Sequence, residues 1–542
     1  FWAGWTGQMR LAFAALTGVI VAALAARQLA PFIAKRAVAN RDPVVRERPY
    51  EATRAGYTRR AFGVDRITTA DTGVVYATVA DAAPQVPVWD DGALRRASDR
   101  ARPGAGVGWF ATDSGIVAMV PTLVGGGAVA TYIASATEDN GTPARAVRSD
   151  VRDAPIVLVV ADSVARSIVI ADSTGHIAGP SLTTPISRFA HALSMQDFSL
   201  WFGALPTPSP KLVARRAVRE RVNALAPFFA QGSTVAPIWL GDSLVWALEL
   251  YATSRTYPLS RRVIVGGAER AYFQHAATAL VNATTGRTVL VADSLPDPVA
   301  VTWMTRFPKL FTRPTSLPVT VRRQMPPARE GARAQASAFG RYGTRGETDV
   351  ARHLPDDEGP DSALAGTPAP VLAFPRLGTT GYIVPLLDRT ERLRGLFVAL
   401  GGPAHRSMWL PASEPVPLWS EALDRLRAAD TVSASLLVRG FVRAVPVAGR
   451  IVLLQPRYDW RGGGAPRLLY VTVLDGDTVR AARTLLQLAG RVTDTTAVSS
   501  GDFRSRVNRL YEEMRRASAR GDWAAYGRAF EALGAILRER RR

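Results

Sequence analysis

A sixteen-residue run without a charged side chain is the strongest feature of the hydrophobic pattern. It covers residues 11–26 and is bracketed by Arg10 and Arg27. As an α-helix rising about 1.5 Å per residue, the run spans about 24 Å, somewhat less than a hydrocarbon core of about 30 Å. The arginine side chains can extend toward the headgroups and close this gap. The pattern predicts a transmembrane anchor over residues 1–38, with an apolar surface formed by Leu11, Phe13, Leu16, Val19, Ile20, Val21 and Leu24.

The ends of this helix carry residues that suit a membrane interface. Trp2 and Trp5 precede the apolar run, and arginines flank it. A cleaved secretory signal is the competing interpretation, because small residues end the apolar core. We expect a retained anchor, since the chain contains this segment and eight residues before Met9. Because the chain begins at Phe1 rather than Met, we also expect further sequence upstream, which could include more membrane helices.

Short β-branched runs separated by Gly, Pro, Asn and Asp fill most of the remaining chain. Such runs are typical of antiparallel strands. We predict an α+β, mostly β fold: a β-rich extramembrane domain with helical insertions at residues 39–325, and a second β-rich domain at 370–500. The Pro- and Gly-rich stretch 326–369 between them is predicted to be a linker or excursion. Individual strands are expected at Gly73–Val79, Thr288–Val291, Gly381–Leu387 and Gly449–Leu454, and a helix at Lys211–Ala226.

Residues 501–542 show the apolar spacing of two helices separated by a break at Gly521. Apolar residues recur at alternating three- and four-residue steps, which predicts a C-terminal αα-hairpin. The seam either packs on its own domain or docks a partner helix. Its apolar residues are Trp523, Tyr526, Phe530, Leu533 and Leu537.

The amino-acid composition limits the kinds of active site and partner that are expected. The chain has no cysteine, which excludes disulfides, thiolate metal sites and cysteine nucleophiles. Its net charge is +21, and only Lys35, Lys211 and Lys309 of its 67 basic residues are lysines. A GC-rich genome explains this arginine excess, and contact with anionic lipid or an acidic protein surface is the functional alternative. The charge is spread along the chain rather than gathered in one basic stripe, so no nucleic-acid partner is predicted.

Motifs for catalysis or cofactor binding are weak. Gly241-Asp242-Ser243-Leu244 matches the nucleophile block of one esterase class, but no histidine follows an aspartate at the spacing that class uses. No pair of histidines has metal-ligand spacing, and no Gly-rich turn has the pattern of a phosphate loop. We predict no catalytic residue, no metal site and no cofactor.

Four separated groups of residues occur in a defined order between residues 47 and 527. They are Glu47–Tyr50 with Thr58–Val64; Gly241–Trp246 with Tyr251–Ser254 and Tyr257-Pro258; Asn282–Gly286 with Asp297-Pro298, Arg306–Phe311, Leu317-Pro318 and Gln335; and Arg520–Gly527. In this order they resemble Uncharacterised Protein Family 0182, a group of large bacterial multi-pass membrane proteins.

The resemblance implies a membrane protein in which only the last of several membrane helices is present here. Some residues depart from the family pattern: Glu51 and Arg54 stand where Ile and Asn are usual, and Asn282 stands where Asp is usual. The resemblance also implies an extracytoplasmic domain. By contrast, the nine basic residues from Arg27 to Arg60 favour a cytoplasmic one. We expect the large domain in the periplasm of a bacterial cell, anchored to the inner membrane.

Three functional hypotheses follow. The first is a non-enzymatic accessory or scaffolding subunit that packs on membrane lipids and other subunits of a larger inner-membrane assembly; a respiratory or photosynthetic complex is one conceivable host. The second is an envelope hydrolase that uses Ser243. The third is a module that binds anionic lipid or polymer through the arginine excess.

Overall fold

The computed structural model describes residues 9–38, 43–70, 72–98, 106–124, 127–151, 158–160, 167–240, 243–347, 350–413, 417–430, 437–460, 464–489, 510, 514 and 529–532. Over these residues the fold is α+β and mostly β, as the sequence predicts.

The helices of this part of the chain are mostly short and connect the strands. In chain order they are α1 (Met9–Val38), α2 (Pro43–Ala61), α3 (Val79–Ala82), α4 (Asp91–Ala97), α5 (Pro185–Met195), α6 (Ser199–Phe202), α7 (Val218–Leu225), α8 (Pro298–Arg306), α9 (Val319–Gln324), α10 (Arg329–Tyr342), α11 (Trp419–Ala428) and α12 (Leu485–Leu488). Single 3₁₀ turns lie at Val64–Arg66, Thr72–Val74, Ala83–Gln85, Pro314–Ser316 and Pro375–Leu377.

The strands carry most of the regular structure. In chain order they are β1 (Thr68–Thr69), β2 (Gly108–Thr112), β3 (Gly115–Val124), β4 (Gly127–Asp139), β5 (Thr142–Val151), β6 (Ser167–Ala171), β7 (Pro210–Ala214), β8 (Ala230–Leu240), β9 (Ser243–Ser254), β10 (Val263–Val265), β11 (Ala268–Arg270), β12 (Tyr272–Asn282), β13 (Thr288–Ala292), β14 (Phe311–Thr312), β15 (Arg352–His353), β16 (Leu372–Phe374), β17 (Thr379–Asp388), β18 (Leu393–Leu400), β19 (Ser407–Pro411), β20 (Leu437–Arg439), β21 (Arg443–Val447), β22 (Arg450–Asp459), β23 (Arg467–Asp475) and β24 (Thr478–Ala482).

Four sheets of at least four strands contain most of these strands. One has the order β14-β13-β12-β9-β8, and a second has the order β1-β19-β18-β17-β15 with β16 also paired to β17. The other two have the orders β2-β3-β4-β5 and β20-β22-β23-β24, the latter with β21 paired to β22. Most neighbours are antiparallel, whereas β1 with β19 and β13 with β14 are parallel. The first two sheets supply the residues of the site described below.

A single hydrophobic cluster draws on residues from Ala61 to Leu485 and therefore on both predicted β-rich sections. Strand β9 contributes to this cluster and to a second, smaller one, and every residue from Leu244 to Ala252 is buried. A strand that is buried on both faces has no water-facing side on which to place a charge. Any ionisable side chain in β9 must therefore find its partners inside the protein.

Helix α1 has the predicted location, and its described apolar side chains are exposed. Phe13, Leu16, Val19, Ile20, Val21 and Leu24 are each between 51% and 66% accessible. Within the part of the chain that the structure describes, no helix combines the length and apolar character needed to cross a membrane.

Residues 326–369 differ from the linker or excursion that their composition predicts. They contain α10, whose Ala332, Ala334, Ala336 and Phe339 are buried in the core. The helix is buried on several sides rather than along one stripe, and most of its buried residues are small.

Two local predictions are also wrong, while three strand predictions are confirmed. Gly73–Val79 contains a 3₁₀ turn instead of a strand, and Thr78 caps α3 by accepting a hydrogen bond from Asp81 N–H at 3.1 Å. In Lys211–Ala226 the first residues belong to β7, because they pair with β6, and the helix begins only at Val218. The predicted strands at 288–291, 381–387 and 449–454 lie in β13, β17 and β22, except that the last strand begins one residue later.

Candidate functional site

Four ionisable side chains that are distant in sequence meet inside the protein. Glu249 lies on β9, His275 on β12, Asp293 directly after β13, and His405 in the loop between β18 and β19. Their side chains are 8%, 8%, 7% and 6% exposed, respectively. We call these four residues the Glu249 cluster.

A β-bulge places His275 on the same face as Glu249. Across the strands, Glu249 pairs with Thr278 and Tyr251 pairs with His275. Glu249 and Tyr251 are two residues apart and share a face, whereas His275 and Thr278 are three apart and in a regular strand would point to opposite faces. The register shift between His275 and Ala277 adds one residue to β12 and restores the shared face.

Hydrogen bonds position the other two members. The Asp293 N–H donates to the Ala276 carbonyl in the bulge at 3.0 Å, and Asp293 Oδ1 accepts from Leu295 N–H at 2.8 Å. The Ser294 N–H and hydroxyl both donate to Pro403 O at 3.0 Å, which ties the His405 loop to the Asp293 loop. His405 itself has φ of 37°, a backbone conformation that is uncommon for a residue other than glycine.

His275 lies between two carboxylates. Its Nε2 is 2.5 Å from Glu249 Oε2 and its Nδ1 is 2.6 Å from Asp293 Oδ2. Burial disfavours the imidazolium, but the two carboxylates outweigh burial and raise the pKa of His275 to about 10. Burial also acts to raise the pKa of Asp293, yet the hydrogen bond and charge of His275 lower it overall.

His405 lies in the same cluster without a hydrogen bond of its own. Its ring centroid is 3.8 Å from that of His275, and its Nε2 is 3.8 Å from Glu249 Oε2. Burial and the neighbouring His275 lower the pKa of His405 to about 4. Both of its ring nitrogens are buried and have no hydrogen-bond partner. The cluster therefore contains two carboxylates, one charged imidazole and one unpartnered neutral imidazole.

Three members of the cluster have the spacing of metal ligands. Glu249, His275 and His405 each offer one ligand atom, and these atoms lie within 4.8 Å of one another. A cavity of about 100 Å³ lies beside them, room for a few water molecules. Its lining includes Gly63, Arg66, Gln274, Gln335, Arg406 and Ser407.

The residues predicted from the sequence lie elsewhere. Leu11 lies in α1, and the other six predicted anchor residues are exposed on that helix, as are Arg10 and Arg27. Trp2 and Trp5 fall outside the described residues, as do Trp523, Tyr526, Leu533 and Leu537 of the predicted hairpin. Phe530 lies in a described helical segment at 529–532 and is 59% exposed.

Ser243 lies far from the clustered histidines. It begins β9 at the hairpin opposite Leu240, whereas His275 pairs with Tyr251. Tyr251 is eight residues farther along the strand (251 − 243), or about 26 Å at 3.3 Å per residue. Neither His275 nor the adjacent His405 can act as a base for Ser243 across this distance.

The sequence did contain a signal for the cluster, although not a motif. Glu249 is the only charged residue in the apolar strand β9, and His275 interrupts the buried strand β12. An isolated ionisable residue in a buried strand indicates a partner elsewhere in the core. Searches for closely spaced ligands miss such a partner, since His405 follows Glu249 by 156 positions (405 − 249).

Two residues of the family resemblance have structural roles, one beside the site and one at the opposite end of β12. Gln335 donates a hydrogen bond from its amide nitrogen to Gly63 O at 2.7 Å and accepts one from the Ser407 hydroxyl at 2.7 Å. Asn282 Oδ1 accepts from the N–H groups of Thr284 and Thr285 and so shapes the turn between β12 and β13. Asn can replace Asp in this role because only the side-chain oxygen is used.

Comparison with known proteins points to one family. The sequence model described as Uncharacterised protein family (UPF0182) matches residues 171–347. A UPF0182 protein of Kineococcus radiotolerans is 25% identical over 382 residues, which cover 58% of this chain and 37% of that protein. One of Pelotomaculum thermopropionicum is 22% identical over 398 residues (65% and 43%), and one of Prochlorococcus marinus is 26% identical over 356 residues (57% and 36%).

The chain spans about two fifths of the length of these curated relatives. No solved structure matches it.

Proposed function

We propose that this chain, which is related to UPF0182 proteins, is a non-enzymatic accessory subunit of a bacterial inner-membrane assembly. In this proposal α1 packs among membrane lipids and the membrane helices of other subunits. The β-rich body lies on the periplasmic side and contacts the exposed face of the assembly.

The observation that carries the proposal is the exposed apolar surface of α1. Phe13, Leu16 and Val19 are 62%, 57% and 66% exposed, and Ile20 and Leu24 are 51% and 56% exposed. Contiguous apolar surface of this kind is rare on a protein that works alone in water, and it usually marks a protein or membrane contact. Exposed arginines at both ends of the apolar run suit headgroups or acidic partner residues.

The separation of Ser243 from His275 and His405 counts against a serine hydrolase that uses either of these two histidines as its base. A serine nucleophile needs a histidine within hydrogen-bond distance. Ser243 has neither of the two buried histidines near it.

Native gel electrophoresis of a mild-detergent extract, with mass spectrometry of the comigrating proteins, tests the proposal. Wild type should migrate with other membrane subunits, well above its own 58.2 kDa. Ile20→Asp should release the protein from that species and lower its membrane-bound fraction. A carboxylate at the centre of an apolar membrane helix costs roughly 2.5–3.5 kcal/mol, an effect on the order of 100-fold.

Ile264→Asp is the matched control, because Ile264 is 75% exposed but lies on β10, away from α1. It should leave both the migration and the membrane fraction unchanged. A wild-type protein that migrates alone, or an Ile20→Asp protein that stays in the assembly, would contradict the proposal.

The side of the membrane can be tested with the same protein, since the chain has no cysteine. Ser173→Cys introduces a single thiol at an exposed position of the body. A membrane-impermeant maleimide should label it in intact cells whose outer membrane is permeabilised. Labelling only after lysis would instead indicate a cytoplasmic body.

A further inference from the structure

We propose that Glu249, His275 and His405 bind one divalent first-row transition-metal ion, with Asp293 orienting His275 from behind. The site lies in the extramembrane body and is separate from the apolar surface of α1. The inference therefore goes beyond the accessory role and stands independently of it.

Charge balance is the first argument. The cluster buries two carboxylates with two imidazoles, and their side chains are each at most 8% exposed. Buried charge is tolerated only when it is compensated. A divalent ion that displaces a proton from His275 balances both carboxylates and leaves both imidazoles neutral, which is the form in which histidine binds metals.

The unpartnered histidine is the second, independent argument. His405 leaves two buried ring nitrogens without a hydrogen bond, although buried polar atoms are nearly always paired. Its backbone adopts φ of 37° in a loop held by Ser294, so the ring is kept in a position that its own contacts do not explain. A metal ligand role accounts for both features.

Geometry is the third argument. With metal–ligand distances of about 2.0–2.2 Å, tetrahedral ligand atoms lie about 3.3–3.6 Å apart. Glu249 Oε2 lies 2.5 Å from His275 Nε2 and 3.8 Å from His405 Nε2, so the observed separations bracket that distance. Small side-chain rotations are enough to admit an ion.

Asp293 completes an arrangement that is common in metal sites, in which a carboxylate binds the second ring nitrogen of a histidine ligand. Its Oδ2 lies 2.6 Å from His275 Nδ1, on the far side of the ring from Glu249. A carboxylate that accepts the second N–H of a histidine ligand selects the tautomer that presents Nε2 to the metal and increases its basicity. Asp293 is therefore a positioning residue rather than a ligand.

The ligand atoms of the proposed site indicate which class of metal ion it binds. Two imidazoles and one carboxylate suit Zn²⁺ and its first-row neighbours, whereas Ca²⁺ needs six to eight oxygen ligands. Three protein ligands leave a fourth position open toward the 100 Å³ cavity. Arg66 and Arg406 also line that cavity and favour water, hydroxide or another anion as the fourth ligand.

Metal titration of the purified full chain, without a histidine tag and after chelation and dialysis, tests the inference. Zn²⁺ should bind at one equivalent per chain, and Co²⁺ should give the visible absorption of a low-symmetry site. Ca²⁺ at the same concentrations should not displace Co²⁺. His405→Ala should weaken Zn²⁺ binding at least 100-fold, and Asp293→Asn should weaken it about 10- to 100-fold.

His353→Ala is the matched control, because His353 is exposed on β15 and takes no part in the cluster. It should bind Zn²⁺ like wild type. The His405 ring makes no hydrogen bond, so His405→Ala should lose only the packing of this buried ring. When metal is absent it should unfold in one cooperative transition at a somewhat lower denaturant midpoint, which separates lost ligation from lost folding. Glu249→Gln provides a second ligand variant and should also abolish the Co²⁺ spectrum.

The inference is overturned if chelated wild type takes up less than one equivalent of Zn²⁺ at micromolar concentrations. It is equally overturned if His405→Ala and His353→Ala bind Zn²⁺ with the same affinity. Either result leaves the accessory role untouched, because that role rests on α1.

Discussion

Two buried ionic groups of this protein differ in how their charges are matched. In the first, Asp90 pairs with Arg443 at 3.0 Å, and the Tyr458 hydroxyl lies 3.1 Å from the other Asp90 oxygen. Asp90 and Arg443 are 0% and 3% exposed. The second is the Glu249 cluster, in which two carboxylates face one charged imidazole and the ring of a second imidazole makes no hydrogen bond.

This comparison shows that the burial of charged side chains does not by itself identify a ligand-binding site. The Arg443 guanidinium also donates to the carbonyls of Phe441 and Trp89, at 2.7 and 3.0 Å, so the pair is embedded in further hydrogen bonds. The pair contains one positive and one negative charge, although Arg443 Nε makes no hydrogen bond and burial still raises the pKa of Asp90. The Glu249 cluster has an excess of negative charge and a spare ligand, and it is the imbalance that points to a missing cation.

The largest expected loss of stability comes from a substitution that breaks the ion pair between Asp90 and Arg443. Asp90→Asn leaves the guanidinium of Arg443 buried without a counter-charge, and we expect a loss of about 3–5 kcal/mol in the free energy of unfolding. Urea denaturation of the purified chain measures it. The loss should be the same with and without Zn²⁺, because this pair binds no ion.

Asp424→Asn is the control for this variant. Asp424 forms an ion pair with Arg427 on the surface of α11, with its side chain 74% exposed, so its loss should cost less than about 1 kcal/mol. Similar costs for the two variants would contradict the view that Asp90 and Arg443 form a matched buried pair.

Asp91, next to Asp90, gives an intermediate case that depends on pH. Burial raises its pKa to about 6, although Arg329 and the indole of Trp109 act against this. The raised pKa means that Asp91 favours the folded state when protonated. The stabilisation of the folded state by protonated Asp91 is fully present below pH 3.8, the ordinary pKa of the group, and is lost as the pH rises through about 6.

Asp91→Asn should remove this dependence while keeping an acceptor for Trp109. The free energy of unfolding of wild type minus that of Asp91→Asn should fall by about 2–3 kcal/mol between pH 4 and pH 7. Denaturation curves at several pH values measure the difference. A difference that stays constant or grows with pH would show that the charge of Asp91 is compensated inside the protein.

The sequence predicts the fold class and several strands because these depend on local patterns. Thr288–Val291 and Gly381–Leu387 combine β-branched or aromatic residues with flanking breakers, and both form strands. The family motifs are equally local, and the relationship that they predict is confirmed. Gly73–Val79 has the same composition but forms no strand, since a capping threonine starts a helix there instead.

Tertiary contacts explain what the sequence does not reveal. Helix α10 is rich in small residues and lies in a stretch with many prolines and glycines, so only its packing in the core identifies it. The Glu249 cluster unites four elements from two sheets, and the bulge that turns His275 toward Glu249 has no reliable sequence pattern. Spacing rules for metal ligands apply when ligands share one helix or hairpin, and here they do not.

The smallest expected loss of stability is that of Glu249→Gln. This variant also tests most directly whether the two buried ionic groups differ. Glu249→Gln removes one of the two carboxylates and leaves Asp293 paired with His275, as Asp90 is paired with Arg443. The glutamine oxygen can still accept the hydrogen bond from the Thr278 hydroxyl. In chelated protein we therefore expect a smaller loss than for Asp90→Asn, because Asp293 still pairs with His275.

With Zn²⁺ at 100 times its dissociation constant, wild type should gain about 2.7 kcal/mol in the free energy of unfolding, and Glu249→Gln should gain almost nothing. Urea denaturation with and without Zn²⁺ gives both numbers. If Glu249→Gln cost 3 kcal/mol or more without metal, the negative charge of Glu249 would already be matched inside the protein. The two buried groups would then be alike, and no cation would be needed to explain either.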